Sequence, residues 1–184
     1  MAADNQEEVF DVVDEENRVT GQELRKVVHQ QGILHRAVYC FVFNSAGELL
    51  LQRRVPEKKI GGNCWDLSCA EHLQPGEPYK QGAQRGLQEE LGITAPITAG
   101  PLGPNHLAEV REAGLIDREF VESYRLDSYD GPVQVDPAEV AEARFFPLPE
   151  VRRMVAEEPG AFTPWFHREA KLLGLLQEPA AALA

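Results

Sequence analysis

The chain has 184 residues, is 43% hydrophobic and carries 30 acidic against 18 basic residues, a net charge of −12. That length fits one domain with short extensions, the acidic balance argues against nucleic-acid binding through a basic surface, and no apolar run approaches the roughly 18 residues of a membrane span. The acidic N-terminus lacks the apolar core of a signal peptide, and three cysteines (Cys40, Cys64, Cys69) without a C-x-x-C pair fit the reducing cytoplasm.

Residues 1–8 are polar and expected to be flexible. Val9–Val13 reads as a strand, residues 14–18 as a turn, and Val19–Gly21 as the returning strand. Residues 23–30 are a short helix candidate. Ala37–Phe43 (AVYCFVF) has the β-branched and aromatic content of a buried strand. Asn44-Ser45-Ala46-Gly47 is a hairpin turn, with residues 48–54 as the partner strand. A polar loop follows to Asn63, then a short strand over residues 65–68. Residues 94–99 are extended, and 100–105 form a Pro/Gly loop. Residues 119–126 alternate, with Phe120, Tyr124 and Leu126 on one face. Residues 143–146 are the last strand. Residues 149–157 and 164–176 are helices, the second packing through Phe166, Leu172, Leu173 and Leu176. The domain spans residues 9–177, and a low-complexity, flexible tail occupies 178–184.

The segment Glu71–Ile93, EHLQPGEPYKQGAQRGLQEELGI, stands apart. Pro78 or Tyr79 starts a helix and Gly92 stops it. At about 100° per residue, Ala83, Leu87 and Leu91 form an apolar stripe, and Glu89 and Glu90 flank Gly86 on an arc beside it. Clustered carboxylates repel unless a hard divalent cation neutralises them, and oxygen ligands suit Mg²⁺ or Mn²⁺. A bare Glu-Glu pair is more often a solvated helix face, and the Arg85–Glu89 pair at i, i+4 adds only tenths of a kcal/mol. The register of the whole segment reverses those odds.

That register resembles the Nudix box: a glycine, five residues, a glutamate, seven residues, then R-E-U-x-E-E-x-G-U, with U aliphatic. Glu77, Arg85, Leu87, Glu89, Glu90, Gly92 and Ile93 match. Glu71 and Gly86 depart, and Gly86 stands where the family uses a catalytic glutamate. The resemblance implies an α/β fold, the Nudix-type α/β/α sandwich with a mixed sheet. It implies metal ligation by Glu89 and Glu90, with Glu77 and Arg85 bracing the loop and helix. From Leu34 to Ile93 the chain looks like the branch near type 1 isopentenyl-diphosphate isomerase. That branch binds a divalent metal through histidines and carboxylates, has no glutamate at the Gly86 position, and uses a cysteine and a glutamate as its acid–base pair. Carried over, His35 and His72 are metal histidines, Glu90 is the retained box glutamate, and Asp117 and Glu119 are the downstream acidic pair. His29 stands one residue closer to His35 than the isomerases require. The cysteine position falls on Ala70. Cys69 is one residue away, which on a strand is the opposite face, so it reads as buried.

Taken singly, His35 and His72 read more readily as hydrogen-bonded loop histidines. Arg53 and Arg54 end a strand facing the Lys58–Lys59 loop. Arginine meets phosphate bidentately, so Arg53, Arg54 and Lys59 are candidate diphosphate contacts; the alternative is a solvated strand end. Trp65 lines a pocket or packs the core. The resemblance implies a Mg²⁺- or Mn²⁺-dependent hydrolase of a diphosphate linkage, acting on a nucleoside diphosphate joined to another moiety. Glu119 or Glu71 would orient the attacking water. The alternatives are an isomerase-like enzyme, or a weakened Nudix domain that only binds a phosphorylated ligand. The expected partner is a small-molecule diphosphate, with neither nucleic acid nor membrane, and the sequence leaves the oligomeric state open. Restoring a carboxylate with Gly86→Glu is expected to raise hydrolysis about tenfold or more.

Overall fold

Residues 35–42 alternate between two apolar cores, and that alternation sets the architecture. Ala37, Tyr39 and Phe41 enter one core, and Val38, Cys40 and Val42 enter the other. Successive side chains leave a strand on opposite faces, so this strand has to be covered on both sides.

The computed structural model describes residues 5–177. A hairpin of β1 (Val9–Val13) and β2 (Val19–Leu24) leads into α1 (Arg25–Gln31). The strand above is β3 (His35–Val42); β4 (Leu49–Arg54), β5 (Trp65–Asp66) and β6 (Cys69–His72) follow, then α2 (Tyr79–Leu91). The rest is β7 (His106–Glu112), β8 (Leu115–Leu126), β9 (Val140–Phe146), α3 (Leu148–Glu157) and α4 (Pro164–Leu172). One sheet runs β6-β3-β8-β7, a second β5-β4-β9. The β3–β8 pair is parallel and its neighbours are antiparallel, so the first sheet is mixed. Helix α2 closes one core through Ala83, Leu87 and Leu91. Helices α3 and α4 close the other through Val151, Trp165, Phe166 and Ala170. The result is an α/β/α sandwich.

Several expectations are corrected. The turn at residues 44–47 forms, with Gly47 at φ 75°, but β3 and β4 do not make a hairpin; only an isolated bridge, Phe43 to Leu49, joins them. Leu49, Leu50 and Leu51 are fully buried, and β4 lies between β5 and β9. The strand expected at residues 65–68 ends at Asp66, and a separate strand, β6, begins at Cys69 in the other sheet. The chain crosses over at Ser68, whose hydroxyl donates to the Leu50 carbonyl at 2.6 Å and accepts from the Val42 amide at 2.8 Å. Residues 94–99, expected only to be extended, pair with no strand, and there the Gln84 side chain donates to the Ala95 carbonyl and accepts from the Ile97 amide. Strand β7 falls where the sequence pattern predicts no strand. Helix α4 stops at Leu172, which is 63% exposed, while Leu173 and Leu176 still pack on the core. In the N-terminal segment Glu8 pairs with Arg25 at 2.9 Å and Glu7 with Lys26 at 2.7 Å. The tail assigned to residues 178–184 lies outside the described residues.

Gly86 has no empty space beside it. A Cβ there would stand 2.7 Å from Cys69 Sγ and 3.0 Å from Glu71 Cβ. Neither neighbour is a long flexible tip, and overpacking of this kind costs about 1–3 kcal/mol. The gain from removing a helix glycine is only about 1 kcal/mol. Gly86→Glu should therefore lower the melting temperature and fail to raise hydrolysis, against the expectation from the box pattern. A variant as stable as the wild type in thermal unfolding would show that the Cys69–Glu71 contact yields.

Candidate functional site

Three histidines and two carboxylates converge at one end of the first sheet. His29 comes from α1, His35 opens β3, His72 closes β6, and Asp117 and Glu119 lie on β8. The sheet register puts His35 beside Glu119 and Ala37 beside His72. Gly32, at φ 66°, turns the chain from α1 into β3. A Cβ there would meet Ile116 at 2.8 Å, so the turn requires glycine. This left-handed turn brings His29 in despite its short spacing from His35.

His35 Nε2 lies 3.3 Å and His29 Nε2 3.5 Å from Asp117 Oδ1, and His72 Nε2 lies 3.2 Å from Glu119 Oε1. One ligand atom from each of His29, His35, His72 and Asp117 falls within 4.8 Å of the others. The Phe10 ring covers the imidazoles, 5.1 Å from His35 and 4.6 Å from His72. His35 Nδ1 is 3.1 Å from the Ile33 carbonyl. A carbonyl only accepts, so Nδ1 carries the proton and the neutral ring presents the Nε2 lone pair inward. His35 Nε2, His72 Nε2 and Asp117 Oδ1 are buried without a hydrogen-bond partner. Such a donor set fits a divalent cation.

The titration behaviour follows the geometry. Burial opposes charge on His35, but the Asp117 carboxylate outweighs it and raises the pKa. Burial, then the charges of Arg25, His35 and His29, hold His72 well below the ordinary range. Burial works against charge on Asp117, but the facing His35 imidazole, 3.3 Å away, keeps it low. Burial and then Asp117 push Glu119 up to about 7.

The opposite face of β6 carries a second group. Glu71 projects toward α2 and lies against Gly86. Burial is the main reason Glu71 rises to about 7, and burial followed by the Glu71 charge lifts Glu90 to about 8. Gln52 donates to Glu90 at 2.8 Å. Arg85 ties this face together: it meets Glu77 at 2.9 Å, Glu89 at 3.0 Å, Glu71 at 3.2 Å and the His72 carbonyl at 2.8 Å. Because β6 is a sheet edge, both groups border one cleft of about 540 Å³.

The structure thus brings His35 and His72 together with His29 and Asp117, while Glu89 and Glu90 stand apart from that set. Glu90 faces Glu71, and Glu89 sits at the rim on Arg85. Arg54 and Lys59 line the cleft with Lys58; Arg53 lies outside its lining and bonds the Asn63 carbonyl at 3.3 Å. Arg54 is held by buried Asp66 at 3.2 Å and lies 5.2 Å over the Trp165 ring. Lys58 is paired with Glu139. Ala70 faces the cleft, whereas Cys69 is fully buried in the second core, so no cysteine lines the cleft. Trp65 packs edge-on against Phe146 at 5.2 Å. Sequence reasoning missed Tyr39 and Trp165, cleft residues contributed by a core strand and by the last helix. No helix among the described residues is long and apolar enough to cross a membrane.

The NUDIX domain pattern matches residues 33–166. An isopentenyl-diphosphate Delta-isomerase of Burkholderia multivorans is 37% identical over 169 residues, 92% of this chain and 94% of that one. One from Cereibacter sphaeroides is 40% identical over 139 residues, 74% of this chain and 77% of its own. Among solved structures, DR0079 from Deinococcus radiodurans superimposes with a TM-score of 0.68 at 25% identity, covering 93% of this chain and all (100%) of that one. The MutT protein of Methanosarcina mazei, at 24% identity and a TM-score of 0.59 over 74% of this chain and 88% of its own, shares the fold.

Calorimetric titration with Mn²⁺ checks the ligand set. His72→Ala and Asp117→Asn should each weaken binding about tenfold or more. Unchanged affinity in both would place the cation elsewhere.

Proposed function

We propose, because this chain belongs to the Nudix family, that it is a divalent-cation-dependent hydrolase of a diphosphate linkage in a small molecule, a nucleoside diphosphate joined to a further moiety. The observation that carries this reading over proton transfer at carbon is Ala70. It borders the cleft where the isomerase-like pattern has its cysteine, and the neighbouring Cys69 is turned into the core. Without a thiol, one of the two acid–base groups is missing. Hydrolysis needs only a cation, water, carboxylates and a place for phosphate.

A divalent cation, when bound, neutralises charge on phosphoryl oxygens and lowers the pKa of water. His29, His35, His72 and Asp117 would hold it, and so imidazole-rich a set suits Mn²⁺ better than oxygen-loving Mg²⁺. Arg54, Lys58 and Lys59 would grip the diphosphate from the cleft wall. Glu71, lying across Gly86 beside Glu90, would supply from a strand the carboxylate that the box helix lacks. Glu119 Oε1, next to His72, would take the proton of the attacking water. The water oxygen bonds to phosphorus, the bridging P–O bond breaks, and the departing phosphate keeps the electron pair.

A second reading, isomerisation of isopentenyl diphosphate to an allylic diphosphate, is favoured by the names of relatives 37–40% identical. A panel assay with Mn²⁺ separates the two. The expected result is phosphate or nucleotide release, no isomerisation of isopentenyl diphosphate, and a loss of about a hundredfold or more in Glu119→Gln. Isomerisation by the wild type would overturn the hydrolase.

A further inference from the structure

Helix α4 sends two polar side chains past its apolar face to the sheet. Glu169, only 1% exposed, accepts from the Ser123 hydroxyl at 2.9 Å and meets His106 Nε2 at 2.8 Å. Arg168 donates to Glu169 through Nε at 3.1 Å and reaches Tyr39 Oη with Nη2 at 3.4 Å. Tyr39, 3% exposed, donates in turn to Glu119 Oε2 at 2.7 Å. A guanidinium can only donate. The Tyr39 oxygen therefore accepts from Arg168, and its own proton is aimed at Glu119. The chain has one direction, from helix to site. Its end occupies one oxygen of Glu119 and leaves the other, Oε1, 3.2 Å from His72 Nε2 and 3.9 Å from His35 Nε2. Docking of α4 does not need this chain, since Trp165, Phe166 and Ala170 already bury its apolar face.

We infer that Tyr39 and Arg168 are positioning residues for Glu119: they fix which carboxylate oxygen faces the histidines, and so couple the C-terminal helix to the site. The inference rests on the reading that the histidine–carboxylate group holds a divalent cation; it does not depend on which bond of the substrate is broken.

Tyr39→Phe deletes one oxygen and keeps the ring, while Arg168→Met deletes the guanidinium and keeps the stem. Mn²⁺ affinity by calorimetry, kcat and KM for the diphosphate substrate, and the melting temperature are measured for each. Tyr39→Phe frees Glu119 to turn its charge away from the imidazoles that would hold the cation, His72 Nε2 being 3.2 Å from Oε1; it should weaken Mn²⁺ about tenfold or more, the usual effect of losing a group that orients a metal site, and should lower kcat while leaving KM near wild type. Arg168→Met should move both in the same direction by a smaller factor, and Arg168→Lys should recover part of the loss. Wild-type Mn²⁺ affinity in Tyr39→Phe overturns the inference, even with a lower melting temperature, because packing alone moves stability and not affinity. Absence of Mn²⁺ binding by the wild type overturns it as well. If the wild type releases no phosphate but Tyr39→Phe still loses Mn²⁺ affinity, the hydrolase reading falls and the positioning role stands.

Discussion

His35 Nε2 and Asp117 Oδ1 face each other at 3.3 Å in a buried space. The other ring nitrogen of His35 is committed to the Ile33 carbonyl, so in the neutral ring both facing atoms are acceptors. Buried polar atoms left unsatisfied cost about 1–3 kcal/mol each. The backbone gives them no escape: Asp117 is held on β8 opposite Val110 of β7, and the stacked Phe10 ring fixes the plane of His35. Only a shared proton or a cation relieves the contact. The raised pKa of His35 and the lowered pKa of Asp117 are what a shared proton requires. A divalent cation would take the proton's place and draw in His72 and His29 as well.

The second constraint is that β6 is both short and an edge. Four residues give two side chains to each face. Ala70 and His72 serve the face of the histidines; Cys69 and Glu71 serve the face of the box helix. Each residue type answers to its side. A thiol sits where apolar packing is needed, a methyl group where the cleft needs room, and a carboxylate where Gly86 leaves space for its stem. Arg85 then joins the faces by reaching the His72 carbonyl as well as Glu71, Glu77 and Glu89.

Legibility in the sequence followed the range of the interactions. The box helix was readable because its stripe, Ala83, Leu87 and Leu91, and its stop, Gly92 at φ 66°, are local. Strand β3 announced itself by a run of apolar residues. Strand β7 hid because only Ala108 and Val110 of it are buried; its turn residues Ala113 and Gly114, at φ 51° and 77°, were the available signal. The longer pairing of β4 is with β9, distant in sequence, and the turn at residues 44–47 points instead to β3. Spacing along the chain argues against His29, but a left-handed turn at Gly32 brings it into the cluster. That Glu71 fills the space above Gly86, and that Arg168 reaches Tyr39, are tertiary facts with no local signature.

The cation is proposed to sit among the imidazoles and not on the box carboxylates. Electron spin-echo spectroscopy of the Mn²⁺-loaded protein addresses it directly, because a coordinated imidazole leaves nitrogen hyperfine couplings that carboxylates and water do not. Nitrogen couplings in the wild type, diminished in His35→Gln, are the predicted result. A spectrum without nitrogen couplings, unchanged by His35→Gln, would put the metal on Glu71 and Glu90 and contradict the claim.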